Sequence, residues 1–134
     1  MKSILNDKKI VFTNGCFDIL HRAHIELLQY CKSLGGVVVI GLNSDESVKR
    51  VKGEARPFNN QEDRAFLLRA CKFVDEVIIF EEDTPLELIK SLQPLIIVKG
   101  GDYAAEDIAG SDIAMVKIFD YIDGYSTTRI LEAR

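Results

Sequence analysis

A chain of 134 residues that is 47% hydrophobic and 28% charged has the size of one domain and enough apolar content to build a core, which excludes bulk disorder. Its 17 Lys and Arg against 21 Asp and Glu leave a formal charge of −4, which argues against a broad nucleic-acid surface, since that needs a basic excess. No apolar run approaches the ~20 residues of a membrane span, and the polar stretch from Met1 to Lys9 lacks a signal-peptide core, so a cytoplasmic chain with no membrane partner is expected.

The first predicted element is a strand at Ile10–Phe12. A polar and glycine segment follows it, Thr13-Asn14-Gly15-Cys16-Phe17-Asp18. After Leu20, the residues Ile25, Leu27, Leu28 and Cys31 mark the apolar face of a helix. Val37–Leu42 predicts a second strand, with Asn43-Ser44-Asp45 at its end. A basic stretch comes next, and Gly53 and Pro57 within it predict a loop. Phe66, Leu67, Ala70 and Cys71 mark a second helical face, and Val74–Phe80 a third strand. Thr84-Pro85 reads as a cap and first-turn pair for a helix carrying Leu86, Leu88, Ile89 and Leu92. Leu95–Val98 and Met115–Phe119 complete the strands, and a helical tail covers Arg129–Arg134.

The strands are nearly continuous apolar runs, the pattern of strands buried on both faces. Strands alternating with helices predict an α/β fold, an open parallel five-stranded sheet with helices on both faces, in a single domain over residues 1–134. In such sheets ligands sit beyond the carboxyl ends of the strands. The strand-end segments therefore define the candidate pocket. They are Thr13–Asp18, Asn43–Asp45, Lys99-Gly100-Gly101-Asp102-Tyr103 and the stretch from Asp120 to Thr128.

Four constellations could carry chemistry there. His21 and His24, the only histidines, stand three apart where a helix begins, so both imidazoles share one face near unpaired N–H donors. A pair of surface histidines at a cap would give the same spacing. Lys49, Arg50, Lys52 and Arg56 cluster in an acidic chain, either as a solvated basic turn or as a lid that closes on phosphate. Lys99-Gly100-Gly101-Asp102 lets backbone approach a ligand, with Asp102 as an acceptor, although an ordinary strand-to-loop turn would look alike. Ser126, Thr127 and Thr128 stand at a helix start, where one hydroxyl caps and three can grip a phosphate. The GxGxxG, GxxxxGK[ST] and GxSxG signatures are absent. Cys16, Cys31 and Cys71 are far apart and odd in number, which fits reduced thiols, and no ligand set for a metal is evident.

Taken together, the run Thr13 to His21, Asn43-Ser44-Asp45, Val51-Lys52-Gly53 with Arg56-Pro57, Val74-Asp75, Phe80 to Pro85, Val98 to Tyr103 and Ser126-Thr127-Thr128 resemble the cytidylyltransferase-like branch of the His-x-Gly-His nucleotidyltransferases. The resemblance spans nearly the whole chain and is closest to the heptose 1-phosphate adenylyltransferases. It implies a Rossmann-like fold, a homodimer, and transfer of AMP from ATP to a sugar 1-phosphate with release of pyrophosphate and Mg2+ accompanying the nucleotide. By the same resemblance, His21, His24 and Lys52 are the catalytic residues. Thr13, Asn14, Gly15, Phe17, Lys49, Lys99, Gly100, Asp102, Ser126 and Thr127 hold the nucleotide, and Asp18 and Arg56 face the sugar phosphate.

Two departures matter. Relatives that make CDP-glycerol carry an arginine where this chain has Tyr121, which counts against a glycerol phosphate substrate. The family's glycine is Ala23 here, so its methyl is expected to face the nucleotide, where a slight shift absorbs it or binding weakens. A cytidylyltransferase acting on another sugar or polyol phosphate, and a non-catalytic nucleotide-binding relative, are the alternative readings.

Overall fold

The structure, a computed structural model, describes residues 9–101 and 108–120. In chain order the elements are β1 (Ile10–Gly15), α1 (Arg22–Ser33), β2 (Val37–Asn43), α2 (Asp45–Lys52), α3 (Gln61–Arg69), β3 (Glu76–Phe80), α4 (Leu86–Leu92), β4 (Ile96–Gly100) and β5 (Met115–Phe119). The five strands form one parallel sheet in the order β3-β2-β1-β4-β5. The expected open parallel sheet is therefore observed, and all five predicted strands are present. The helical tail at Arg129–Arg134 lies outside the described residues.

Strand alternation divides the core into two layers. Val11, Val38, Ile40, Leu42, Ile96 and Val98 pack on one face with Leu27, Leu28 and Cys31 of α1 and with Ala65 and Leu68 of α3. Ile10, Phe12, Val39 and Ile97 pack on the other face with Ile89 of α4 and with Ile108. Both faces are covered, which is why the strand sequences read as unbroken apolar runs. Gly41 on β2 makes room for the Phe12 ring, since a Cβ there would lie 2.7 Å from Phe12 Cζ.

Three local expectations are corrected. The basic stretch is not all loop: Lys49, Arg50 and Lys52 lie in the last turn of α2, and the loop begins at Gly53. The Ser44 side chain caps this helix by accepting from Ser47 N, Asp45 and Glu46 occupy its first turn, and the cations complement its C-terminal dipole. Gly53, at φ +108°, supplies the stop. On α3 the buried stripe is Arg64, Ala65 and Leu68, while Phe66 is 72% and Leu67 46% exposed. A buried arginine occupies part of the inward face, so the apolar residues alone point to the wrong side. On α4, helix geometry starts at Leu86, with Pro85 at the cap position and the Thr84 hydroxyl at the long limit of 3.5 Å from Leu86 N.

Candidate active site

The chain order and the sheet order part company at β1, whose neighbours β2 and β4 lead away in opposite directions. This is where an open α/β sheet leaves a crevice at its carboxyl edge. A cleft of about 400 Å³ opens there. The β1–α1 loop contributes Asn14, Gly15, Cys16, Phe17 and Asp18, and α1 contributes His24. Asn43 comes from the end of β2, and Val48, Val51 and Lys52 from α2. Arg56, Asp83 and Lys99 complete the lining.

His21 occupies the N-cap position of α1 with an extended backbone and makes no side-chain cap bond. Its ring stacks on that of His24, with centroids 3.8 Å apart and planes at 23°. The Phe17 ring meets His24 edge-on at 5.1 Å. Phe17 has φ +45°, a left-handed conformation that costs a non-glycine residue about 1–3 kcal/mol. That turn is what brings the ring back onto the histidine. Burial holds the His24 imidazole down to about pKa 4, helped by the neighbouring His21, against the pull of a hydrogen bond at the Ile19 backbone. Burial lowers His21 too. Both rings are therefore neutral near pH 7, each with one N–H donor. At β1, the Thr13 hydroxyl is buried with no hydrogen-bond partner among the described residues.

Lys52, Arg56 and Lys99 are the cations that line the cleft among the described residues. Lys49 pairs with Glu46 at 3.6 Å and Arg50 with Asp83 at 2.7 Å. Lys52, at the very end of α2, has no carboxylate within salt-bridge distance among the described residues. The Lys99 ammonium donates to the Asn14 carbonyl at 3.4 Å, and burial lowers its pKa. Burial pushes the Cys16 thiol up against the opposing influence of Lys52 and Arg64, so Cys16 lines the cleft as a neutral thiol rather than a nucleophile.

Asp18 reaches the cleft but is 3% exposed. Its carboxylate accepts from Phe58 N at 2.8 and 2.9 Å and from Asn59 N at 2.8 Å, with Arg56 at 3.7 Å. In this structure Asp18 holds the loop that carries Arg56. Arg64, 1% exposed, ties the same region together from below. Its Nε donates to Asn59 O at 2.9 Å, and its Nη1 donates to Cys16 O and Asn43 O, both at 2.8 Å. Its Nη2 pairs with Asp45 Oδ1 at 2.8 Å. The ends of β1 and β2, the start of α2 and the 56–60 loop thus share one guanidinium. Arg64 is absent from the sequence-derived candidates, and so is Asp83. The available signal for Arg64 was a charged residue inside an otherwise apolar helical stripe.

Of the residues expected at the site, Asn14, Gly15, Phe17, Asp18, His24, Lys52, Arg56 and Lys99 line one cleft. His21 joins through its stack on His24, whereas Thr13 lies buried beneath, and Lys49 and Gly100 are not among the lining residues. Asp102, Ser126 and Thr127 lie outside the described residues. Ala23 is corrected: it is 0% exposed, so its methyl is enclosed by protein and does not face a ligand. Among the described residues, no group of three His, Cys, Asp or Glu gathers to hold a metal ion, and no helix is long and apolar enough to cross a membrane.

Residues 12–133 match the family model described as cytidylyltransferase-like. The chain belongs to the cytidylyltransferase-like family. It is 59% identical over 126 residues to the bifunctional protein HldE of a Nitratiruptor species, covering 93% of this chain and 27% of that protein. The bifunctional protein HldE of Aliarcobacter butzleri is 55% identical over 126 residues, covering 93% of this chain and 26% of that one. The chain thus spans about a quarter of the length of the curated relatives it matches. Among solved structures it resembles the lipopolysaccharide core biosynthesis protein from Thermoplasma volcanium, with a TM-score of 0.69 and 30% identity, covering 89% of this chain and 99% of that one. Family membership agrees with the resemblance read from the strand-end motifs.

Proposed function

We propose that this chain is a nucleotidyltransferase that moves AMP from ATP to a sugar 1-phosphate, heptose 1-phosphate by preference, and releases pyrophosphate. The observation that carries the reading is the neutral His21–His24 stack at the start of α1, beside the cleft lined by Lys52 and Lys99. The family membership supports nucleotidyl transfer, and the similarity to bifunctional HldE proteins supports the heptose assignment.

The chemistry needs no enzymatic nucleophile. An oxygen of the sugar phosphate attacks the α-phosphorus of ATP, and the bond to the bridging oxygen of the β-phosphate breaks. The protein positions the partners and stabilises charge. His21 donates its N–H to a phosphate oxygen as charge builds, and His24, whose ring also bonds the Ile19 backbone, donates once the adjacent polyanion raises its pKa and both ring nitrogens carry protons. The Lys52 ammonium follows the reacting phosphorus, and the buried Lys99 ammonium receives the nucleotide phosphates. The buried Thr13 hydroxyl and the backbone at Asn14 and Gly15 lie beneath the phosphate chain. Arg56 meets the incoming sugar phosphate, with Asp18 fixing the loop that carries it. Asp102, Ser126 and Thr127 complete nucleotide binding in this reading.

Magnesium would accompany the nucleotide and offset the charge of its phosphates. Among the described residues no group of three His, Cys, Asp or Glu gathers to ligate the ion, so triphosphate oxygens and water would supply most of its shell. The test is pyrophosphate release over four nucleoside triphosphates and a panel of sugar phosphates. ATP with heptose 1-phosphate is expected to be the preferred pair. Removal of one preorganised donor typically costs ~10²–10³ in rate, so His24→Ala and Lys52→Ala are each expected to lose about that factor while remaining folded. No release with any pair in the panel, or near wild-type turnover in both variants, overturns the reading.

A further inference from the structure

We propose that Asp83 is a specificity-determining residue that accepts hydrogen bonds from the hydroxyl groups of the acceptor sugar. The identity of the acceptor rests on the nucleotidyl-transfer reading above, while the location and fixation of Asp83 are independent of it.

Asp83 lies in the loop after β3, and that loop is fastened to α2. Ser44 N donates to Phe80 O at 2.9 Å. The Ser47 hydroxyl donates to Glu82 O at 2.8 Å and itself accepts from Asn43 Nδ2 at 2.9 Å. Arg50 closes the clamp, donating through Nε to Asp83 Oδ1 at 2.7 Å and through Nη2 to the Glu81 carbonyl. Four donors from one helix and its cap thus present a loop carboxylate at the edge of the cleft. An acceptor group held by second contacts is preorganised for recognition.

The charge pattern then assigns a direction to the acceptor. Arg50 offsets the charge of Asp83 yet occupies only one of its oxygens in the geometry shown, so lone pairs remain for hydroxyl donors. Asp18, the other carboxylate among the described lining residues, spends its oxygens on the Phe58 and Asn59 amides. Val48, Val51 and Lys52 stand at i, i+3 and i+4 on α2, and all three line the cleft. A phosphorylated polyol fits this surface with its phosphate at Lys52, its C–H face over the valines and its hydroxyls at Asp83. A simple alkyl phosphate would use the first two contacts and leave the third empty.

The experiment is calorimetric titration of the full chain and its Asp83→Ala and Asp83→Asn variants with three probes: D-glycero-D-manno-heptose 1-phosphate in both anomers, ethyl phosphate, and ATP with Mg2+. The Arg50–Asp83 pair is exposed, so its loss leaves folding essentially unchanged, which circular dichroism checks. Hydrogen bonds to a charged group predict that Asp83→Ala weakens the sugar phosphate roughly ten- to hundredfold. Ethyl phosphate and ATP are expected to stay within about twofold, because neither contact involves Asp83. Unchanged sugar phosphate affinity in both variants overturns the proposal, as does an equal loss for ethyl phosphate or no binding of the heptose phosphate to the wild type. Turnover is read separately. Selective loss of binding with no pyrophosphate release by the wild type would uphold Asp83 and overturn nucleotidyl transfer.

Discussion

Arg64→Met tests whether one buried guanidinium holds the edge of the cleft together. Methionine keeps the length of the stem and removes the charged head, so the apolar packing of α3 is largely retained. Four short bonds are lost, to Asn59 O, Cys16 O, Asn43 O and Asp45 Oδ1, all between 2.8 and 2.9 Å. Breaking a buried ion pair by removing one partner costs about 3–5 kcal/mol. Asp45 retains 32% side-chain exposure and can be rehydrated, which places the cost near the lower end, while the abandoned carbonyls add to it. Against a total stability of roughly 5–15 kcal/mol for a domain, a loss of this size is severe. It corresponds to a drop in Tm of roughly 10–20 °C in thermal unfolding followed by circular dichroism. Asp45→Asn keeps an acceptor but leaves the buried guanidinium without its counter-ion, so it is expected to cost roughly 3 kcal/mol as well. A Tm for Arg64→Met within about 3 °C of the wild type would refute the view that this residue organises the strand ends.

Three further outcomes are expected. His24 has a folded pKa near 4 against an ordinary value of 6.5, so the unfolded chain binds more protons between those values. Its contribution is intact above pH 6.5 and is lost as pH falls toward 4, by about 3 kcal/mol in all, and His24→Gln should flatten that limb in urea titrations at stepped pH. Ala23→Gly should lower stability by roughly 1 kcal/mol and leave ATP affinity unchanged within about twofold, because the methyl is enclosed; a tenfold gain in affinity would restore the ligand-facing reading. Asp18→Ala should cost about 1.5–3 kcal/mol and accelerate hydrogen exchange at the Phe58 and Asn59 amides, the donors its carboxylate accepts from, and unchanged exchange there would show that other contacts hold the loop.

Much of the site was legible because strand ends converge by topology. Once Ile10–Phe12 and Leu95–Val98 are read as parallel strands, the segments at Asn14–Asp18 and Lys99 must lie on one edge. The His21–His24 pair was legible for a local reason, the three-residue spacing at a helix start. Phe66 and Leu67 misled because helical periodicity reports only that an apolar stripe exists, and the stripe on α3 contains a charged residue that finds four acceptors inside.

The amino-acid sequence by itself determined the parallel α/β sheet, its strand-end cleft and the residue types gathered there, since periodicity, capping and turn chemistry act over a few positions. Tertiary structure decided which of those groups are already engaged and which remain available. Asp18 is consumed by amides 40 and 41 residues away, Arg64 reaches Cys16 across 48, and Ala23 turns inward. Asp83 comes to the cleft because α2 holds its loop there across 33 residues of chain. Burial and partner choice depend on contacts distant along the chain, and only the closed fold brings those partners within reach.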